Sequence, residues 1–118
     1  MSGADPEFDL RRLRELQPLL EAELPAIIAT LLAELTRAAD QLEAAIGAGD
    51  WVSAEHAAHA GRNSALMLNA GPLLSALNEA ELAARHADPT AARAAAAHLQ
   101  RVWPPLRARL QAEAHDPS

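Results

Sequence analysis

Three short breaks constrain the fold of this chain more than any other feature: Gly47-Ala48-Gly49-Asp50, Asn69-Ala70-Gly71-Pro72 and Asp88-Pro89. The first two set helix-stop chemistry beside helix-start chemistry, and Asp88-Pro89 repeats the cap-plus-proline start. Glycine and asparagine tolerate the left-handed backbone that ends a helix, aspartate caps the next one, and proline suits a first turn whose amide has no partner anyway. Between the breaks, apolar residues recur at three- and four-residue steps instead of alternating. Connections this short join antiparallel neighbours, so the expected architecture is all-α, an up-down-up-down four-helix bundle. Half of the residues are apolar, but alanine and leucine dominate and the aromatics are confined to Phe8, Trp51 and Trp103. Strands favour β-branched and aromatic side chains, so composition points the same way.

The 118 residues suffice for one modest core. Met1 to Phe8 reads as an expression-vector remnant (1–8), residues 9–113 as the bundle, and 114–118 as a disordered tail. An additional short N-terminal helix is expected from Asp9 to about Glu23, with leucines at 10, 13, 16, 19 and 20. A long second helix starts at Pro25 and ends at Gly47 or Gly49, its stripe running through Ile28, Leu31, Leu32, Leu35, Ala38, Ala39, Leu42 and Ile46. The third runs from an Asp50 cap to about Leu68, and the fourth from Pro72 to about His86. The fifth covers Ala91 to Trp103, where Pro104 and Pro105 must end or kink it, with Leu106 and Leu110 continuing the stripe in a final segment. Trp51 and Trp103 are expected to cover the ends of the core.

A formal charge of −6 disfavours nucleic acid and anionic membrane surfaces as partners. The absence of cysteine removes disulfides, thiolate metal sites and cysteine nucleophiles, and fits a cytoplasmic setting. No apolar run reaches the length of a membrane span. No Gly-rich phosphate loop or nucleophile elbow is present, so hydrolase and nucleotide-binding readings have no residue support.

The chemistry is concentrated between Ala54 and Leu77. At about 3.6 residues per turn, Glu55, His56, His59, Arg62, Asn63 and Leu66 fall along one side of the third helix. Ala54, Ala58, Gly61, Ala65 and Leu68 fall along another. An imidazole near pH 7 is largely neutral and nucleophilic, and His59 lies at the centre of the polar side. Among Leu66, Met67 and Leu68, at least one must point outward beside it. Glu79 and Glu81 sit on different faces of the fourth helix and read as solvated. His86 and His98 read as surface residues, His86 favoured at a helix C-terminus when protonated.

The third and fourth helices resemble those of the histidine-containing phosphotransfer (HPt) family. That family's pattern is an exposed helical histidine, a lysine three residues later, a glycine four later, then small residues, Leu-Gly-Ala, and a leucine three beyond. His59 matches the histidine, Arg62 stands at the lysine, Ser64 and Ala65 at the small residues, Leu68 and Ala70 in Leu-Gly-Ala, and Leu73 at the final leucine. Ala48-Gly49-Asp50 is also similar. Gly61, Asn63 and Asn69 depart from the leucine and two glycines of the pattern.

The resemblance implies that His59 is a phosphoacceptor and Arg62 a phosphoryl-stabilising cation. His56, Gly61, Asn63, Ser64 and Leu66 would form a docking surface for the receiver domain of a response regulator or hybrid sensor kinase. It also implies a monomeric relay intermediate, not a stand-alone enzyme, with no cofactor and no metal. Two other readings stay open: a degenerate HPt domain that docks partners without carrying phosphate, and a plain helical interaction domain. The run His59-x-x-Arg62-Asn63 also resembles the phosphoacceptor helix of sensor kinases, although Ala60 and Ser64 replace the acidic residue and the proline found there. His56 and His59 lie one turn apart, yet zinc needs three or four ligands and no further set is evident.

Overall fold

A computed structural model describes residues 23–114. The expected N-terminal helix and the residues from His115 onward lie outside that range. Among the described residues there are four helices and no strand: α1 Leu24–Ala48, α2 Trp51–Met67, α3 Gly71–Arg85 and α4 Pro89–Ala114. They correspond to the second to fifth helices expected from sequence. Ala114, assigned above to the tail, is the last residue of α4.

The breaks work by the chemistry that marks them. Gly47 stays inside α1, and Gly49, at φ 70°, is the residue that turns the chain. Asp50 then accepts the Ser53 amide at 3.2 Å and the Ser53 hydroxyl at 2.7 Å, capping α2. Those two bonds hold the Asp50 carboxyl below its ordinary pKa. Asn69 supplies the second left-handed residue, at φ 52°. Ala87 supplies the third at φ 50°, before Asp88 accepts the Ala91 amide at 3.1 Å and caps α4.

Each helix packs against two others, α1 on α2, α2 on α3, α3 on α4 and α4 on α1, around one shared core. Leucine fills much of it: Leu42, Leu68, Leu73, Leu77, Leu99, Leu106 and Leu110 are among the largest fully buried side chains. Each stabilises the fold by roughly 1.5–3 kcal/mol relative to exposure, before chain entropy is counted. The inner face of α2 is different, because Ala54, Ala57, Ala58, Gly61, Ser64 and Ala65 are all small. Its backbone therefore lies close to its neighbours. A Cβ on Gly61 would stand 3.2 Å from Leu77 Cδ1 and 3.3 Å from the Ala38 Cβ.

Of the two outcomes expected at Pro104 and Pro105, an end is excluded, since α4 continues through both. Prolines there deny amide donors to the carbonyls of Gln100 and Arg101, but all four residues are exposed, where water can serve those carbonyls. Meanwhile Leu99, Trp103, Leu106 and Leu110 form one buried stripe, whose burial favours continuing the helix past the prolines. Trp51 is only partly buried against the core. No described helix is long and apolar enough to cross a membrane.

Candidate functional site

His59 stands near the middle of α2 with 62% of its side chain exposed. The helix face that carries it outward is the one opposite Ala54, Ala58, Ala65 and Leu68, each fully buried. Val52 and Leu66 lie two turns before and after the histidine, and both are exposed. His56 and Asn63 are exposed on the same face. His56 also borders a shallow groove between α1 and α2, alongside Gln41, Ala44, Asp50 and Ser53.

Two of the residues expected on the docking surface are elsewhere. Gly61 points into the α1–α2–α3 junction, and Ser64 is 3% exposed, with its hydroxyl donating to Glu34 Oε1 at 3.0 Å. The reason is helical phase: positions 61 and 64 continue the small-residue stripe of 54, 57, 58 and 65. The outward set is therefore His56, His59, Asn63 and Leu66, joined by Val52.

The residue most clearly missed from sequence is Glu81. It is 6% exposed rather than solvated, and it reaches from α3 to α2. Its Oε1 accepts from Arg62 Nη1 at 2.5 Å. Its Oε2 lies 3.4 Å from His59 Nδ1 and accepts from Arg85 Nη2 at 3.4 Å. Arg85 in turn donates through Nε to Glu55 on α2 at 3.3 Å. Burial acts to raise the Glu81 pKa, but the Arg62 bond and charge, with a smaller share from His59, outweigh it and hold the carboxyl below its ordinary value. A signal existed in the four-residue spacing of Glu81 and Arg85, which places both on one flank of α3. What sequence lacked was that this flank faces α2.

Arg62 is thus drawn inward, not presented to solvent. Its side chain is 33% exposed, and its Nε is buried with no hydrogen-bond partner. Asn63 has no such tie to α3 and stays at the surface beside the imidazole. Among the described residues no group of three or more His, Cys, Asp or Glu side chains is arranged to hold a metal ion. Chemically, the site is one accessible imidazole whose Nδ1 edge faces a buried carboxylate and whose other edge is open.

No protein-family model matches this chain, and no curated protein sequence matches it. Among solved structures, it is similar to the crystal structure of histidine-containing phosphotransfer protein B (HptB) from Pseudomonas aeruginosa PAO1, at 27% sequence identity and a TM-score of 0.83. The match covers 94% of this chain and 96% of that one. The described residues form an HPt-like helical bundle.

Proposed function

We propose that this chain is a histidine phosphotransfer domain in which His59 accepts a phosphoryl group from a receiver-domain aspartate and passes it on. The observation that carries the reading is the exposed His59 with Nδ1 facing Glu81, set in a bundle similar to HptB. Connections of a few residues favour antiparallel neighbours, which completes the up-down-up-down arrangement of the proposal. A monomer acting in the cytoplasm, with the receiver domain of a response regulator or hybrid sensor kinase as partner, belongs to the same proposal.

The Glu81 carboxylate favours the tautomer with its proton on Nδ1, leaving the Nε2 lone pair directed at solvent. In transfer, that lone pair forms the new N–P bond as the P–O bond to the aspartyl carboxylate breaks, and the departing electron pair stays with the carboxylate. The phosphorylated ring then carries a positive charge shared with Nδ1–H, which Glu81 offsets at 3.4 Å. No base has to remove a proton during the step. The remaining requirements are alignment and charge, which the domain meets by fixing the ring on a packed helix and gathering Arg62 and Arg85 around the carboxylate that faces it.

Incubation with a phosphorylated receiver should give acid-labile, alkali-stable phosphate on the wild-type chain. His59→Gln should abolish the label and leave the stability within about 1 kcal/mol, because the ring is exposed and its contact with Glu81 is long, at 3.4 Å. A stable complex with the receiver and no label would replace transfer with docking alone. Neither complex nor label would leave a plain helical interaction domain.

A further inference from the structure

The two oxygens of Glu81 do different work. Oε1 is taken by Arg62 through the shortest bond of the cluster, 2.5 Å, on the more enclosed side. Freeing that guanidinium would strand a buried carboxylate and a cation whose Nε is already without a partner. Oε2 is shared by His59 Nδ1 and Arg85 Nη2, each at 3.4 Å, so the Arg85 guanidinium and the imidazole meet at one oxygen. Arg85 is 57% exposed, and its other bond, to Glu55, is a 3.3 Å contact with a carboxylate that is itself 36% exposed. Such loose, solvated pairs are readily exchanged for a stronger anion. A phosphoryl group on the open edge of the His59 ring would carry about −2 charge and three acceptor oxygens, toward which the exposed Arg85 side chain is free to swing.

We propose that Arg85 is the cation that takes hold of the phosphoryl group on His59, and that Arg62 is a positioning residue that acts through Glu81. The proposal rests on His59 as the phosphoacceptor. It divides between two arginines a role that the sequence pattern assigns to Arg62 alone. Arg62 stays locked and keeps the carboxylate in place, which in turn orients the ring. Arg85 exchanges Glu55 and Oε2 for the phosphoryl oxygens.

Phosphoramidate tests this without any receiver: the imidazole lone pair forms the N–P bond while the reagent's own P–N bond breaks and ammonia leaves. The phosphoryl on His59 is followed by ³¹P NMR against pH, with His59→Gln as the blank for the other histidines. A nearby cation favours the dianion, so Arg85→Gln should raise the titration midpoint by about half a pH unit or more, and Arg85→Lys should restore most of it. Arg62→Gln should leave that midpoint in place and instead raise the midpoint of the Glu81 side-chain carboxyl. If Arg62→Gln perturbs folding, Arg62→Lys serves, with a smaller effect on Glu81 and none on the phosphoryl. A phosphoryl midpoint that moves with Arg62 but not with Arg85, or with neither, overturns the assignment, as does failure of the reagent to label His59. Should the split appear while no receiver ever transfers to His59, the cation assignment stands and the relay reading falls.

Discussion

Helix α3 pairs a glutamate with a histidine on each of its flanks, and the two pairs are built in opposite senses. Toward α2, Glu81 is buried at 8% side-chain exposure and His59 is open at 62%. Toward α4, Glu79 is open at 51% and His98 is the more covered partner at 24%, with Nδ1 3.2 Å from each carboxylate oxygen. Two residues of separation on one helix are enough to send the carboxylates to different neighbours. The comparison shows that a His–Glu contact says little until it is known which partner is buried. A buried carboxylate shared with two arginines fixes an imidazole by one edge and leaves the other free. An exposed carboxylate leaning on a half-covered ring is a surface tie between two helices.

Removing each carboxylate in turn should separate the two pairs most widely. Glu81→Gln leaves the enclosed Arg62 guanidinium without its counter-charge, and a cost of about 2–3 kcal/mol in urea unfolding is expected, below the full buried-pair range because Arg62 is one-third exposed. Glu79→Gln should cost no more than about 0.5 kcal/mol. Replacing Glu81 and Arg62 together by leucine should recover a large part of the loss, since the stranded charge goes with its partner. Equal losses from the two single variants would end the distinction.

The next effect comes from the spacing that lets Glu81 reach His59 at all. Gly61→Leu introduces side-chain atoms where Leu77 and Ala38 already stand 3.2–3.3 Å from a bare Cβ. Overpacking costs about 1–3 kcal/mol, while losing a helical glycine returns somewhat under 1 kcal/mol, so a net loss of about 1.5 kcal/mol is expected. The displacement should fall on the α2–α3 seam, loosening His59 from Glu81 and leaving the His98 ring resonances unchanged. Disturbance of both histidines alike would mean that the seams are not independent.

Most of the fold was legible because its signals are local. Gly49, Asp50, Asn69, Pro72, Asp88 and Pro89 act through their own backbone preferences, and the leucine stripes through helical period. The alternative that Pro104 and Pro105 end the helix rested on the same kind of local signal. Their local preference to break a helix is overridden by burial of Trp103, Leu106 and Leu110, a tertiary effect. In the site, the exposure of His59 was readable from its place opposite the small-residue face. Glu81 was not, because its burial depends on how α3 is rotated against α2 and on how closely Gly61 allows them to approach. Ser64 and Gly61 could have been excluded from the docking face by phase alone, since they continue the stripe of Ala54, Ala57 and Ala58.

The smallest expected effect is also the most specific to the buried carboxylate. The Glu81 pKa in the folded chain lies below the ordinary value of 4.5, so its ionic contribution is present in full above that value and is lost as the pH falls through the folded one. The stability gap between wild type and Glu81→Gln should therefore narrow as the pH falls below about 4.5. At the acid end it should largely close, because protonated Glu81 and glutamine are close in shape and each offers Arg62 one neutral carbonyl acceptor. Asp50, lowered by Ser53, and Glu43, raised chiefly by burial and further by Asp40, also titrate in acid. Both proteins share those groups, so their effects cancel in the difference. Urea midpoints collected from pH 7 to about pH 3, across the ordinary carboxylate range, measure it. A gap that stays constant to the acid end would mean that Arg62 is held by shape and hydrogen bonding alone, and the opposite construction of the two His–Glu pairs would then be a matter of burial without charge.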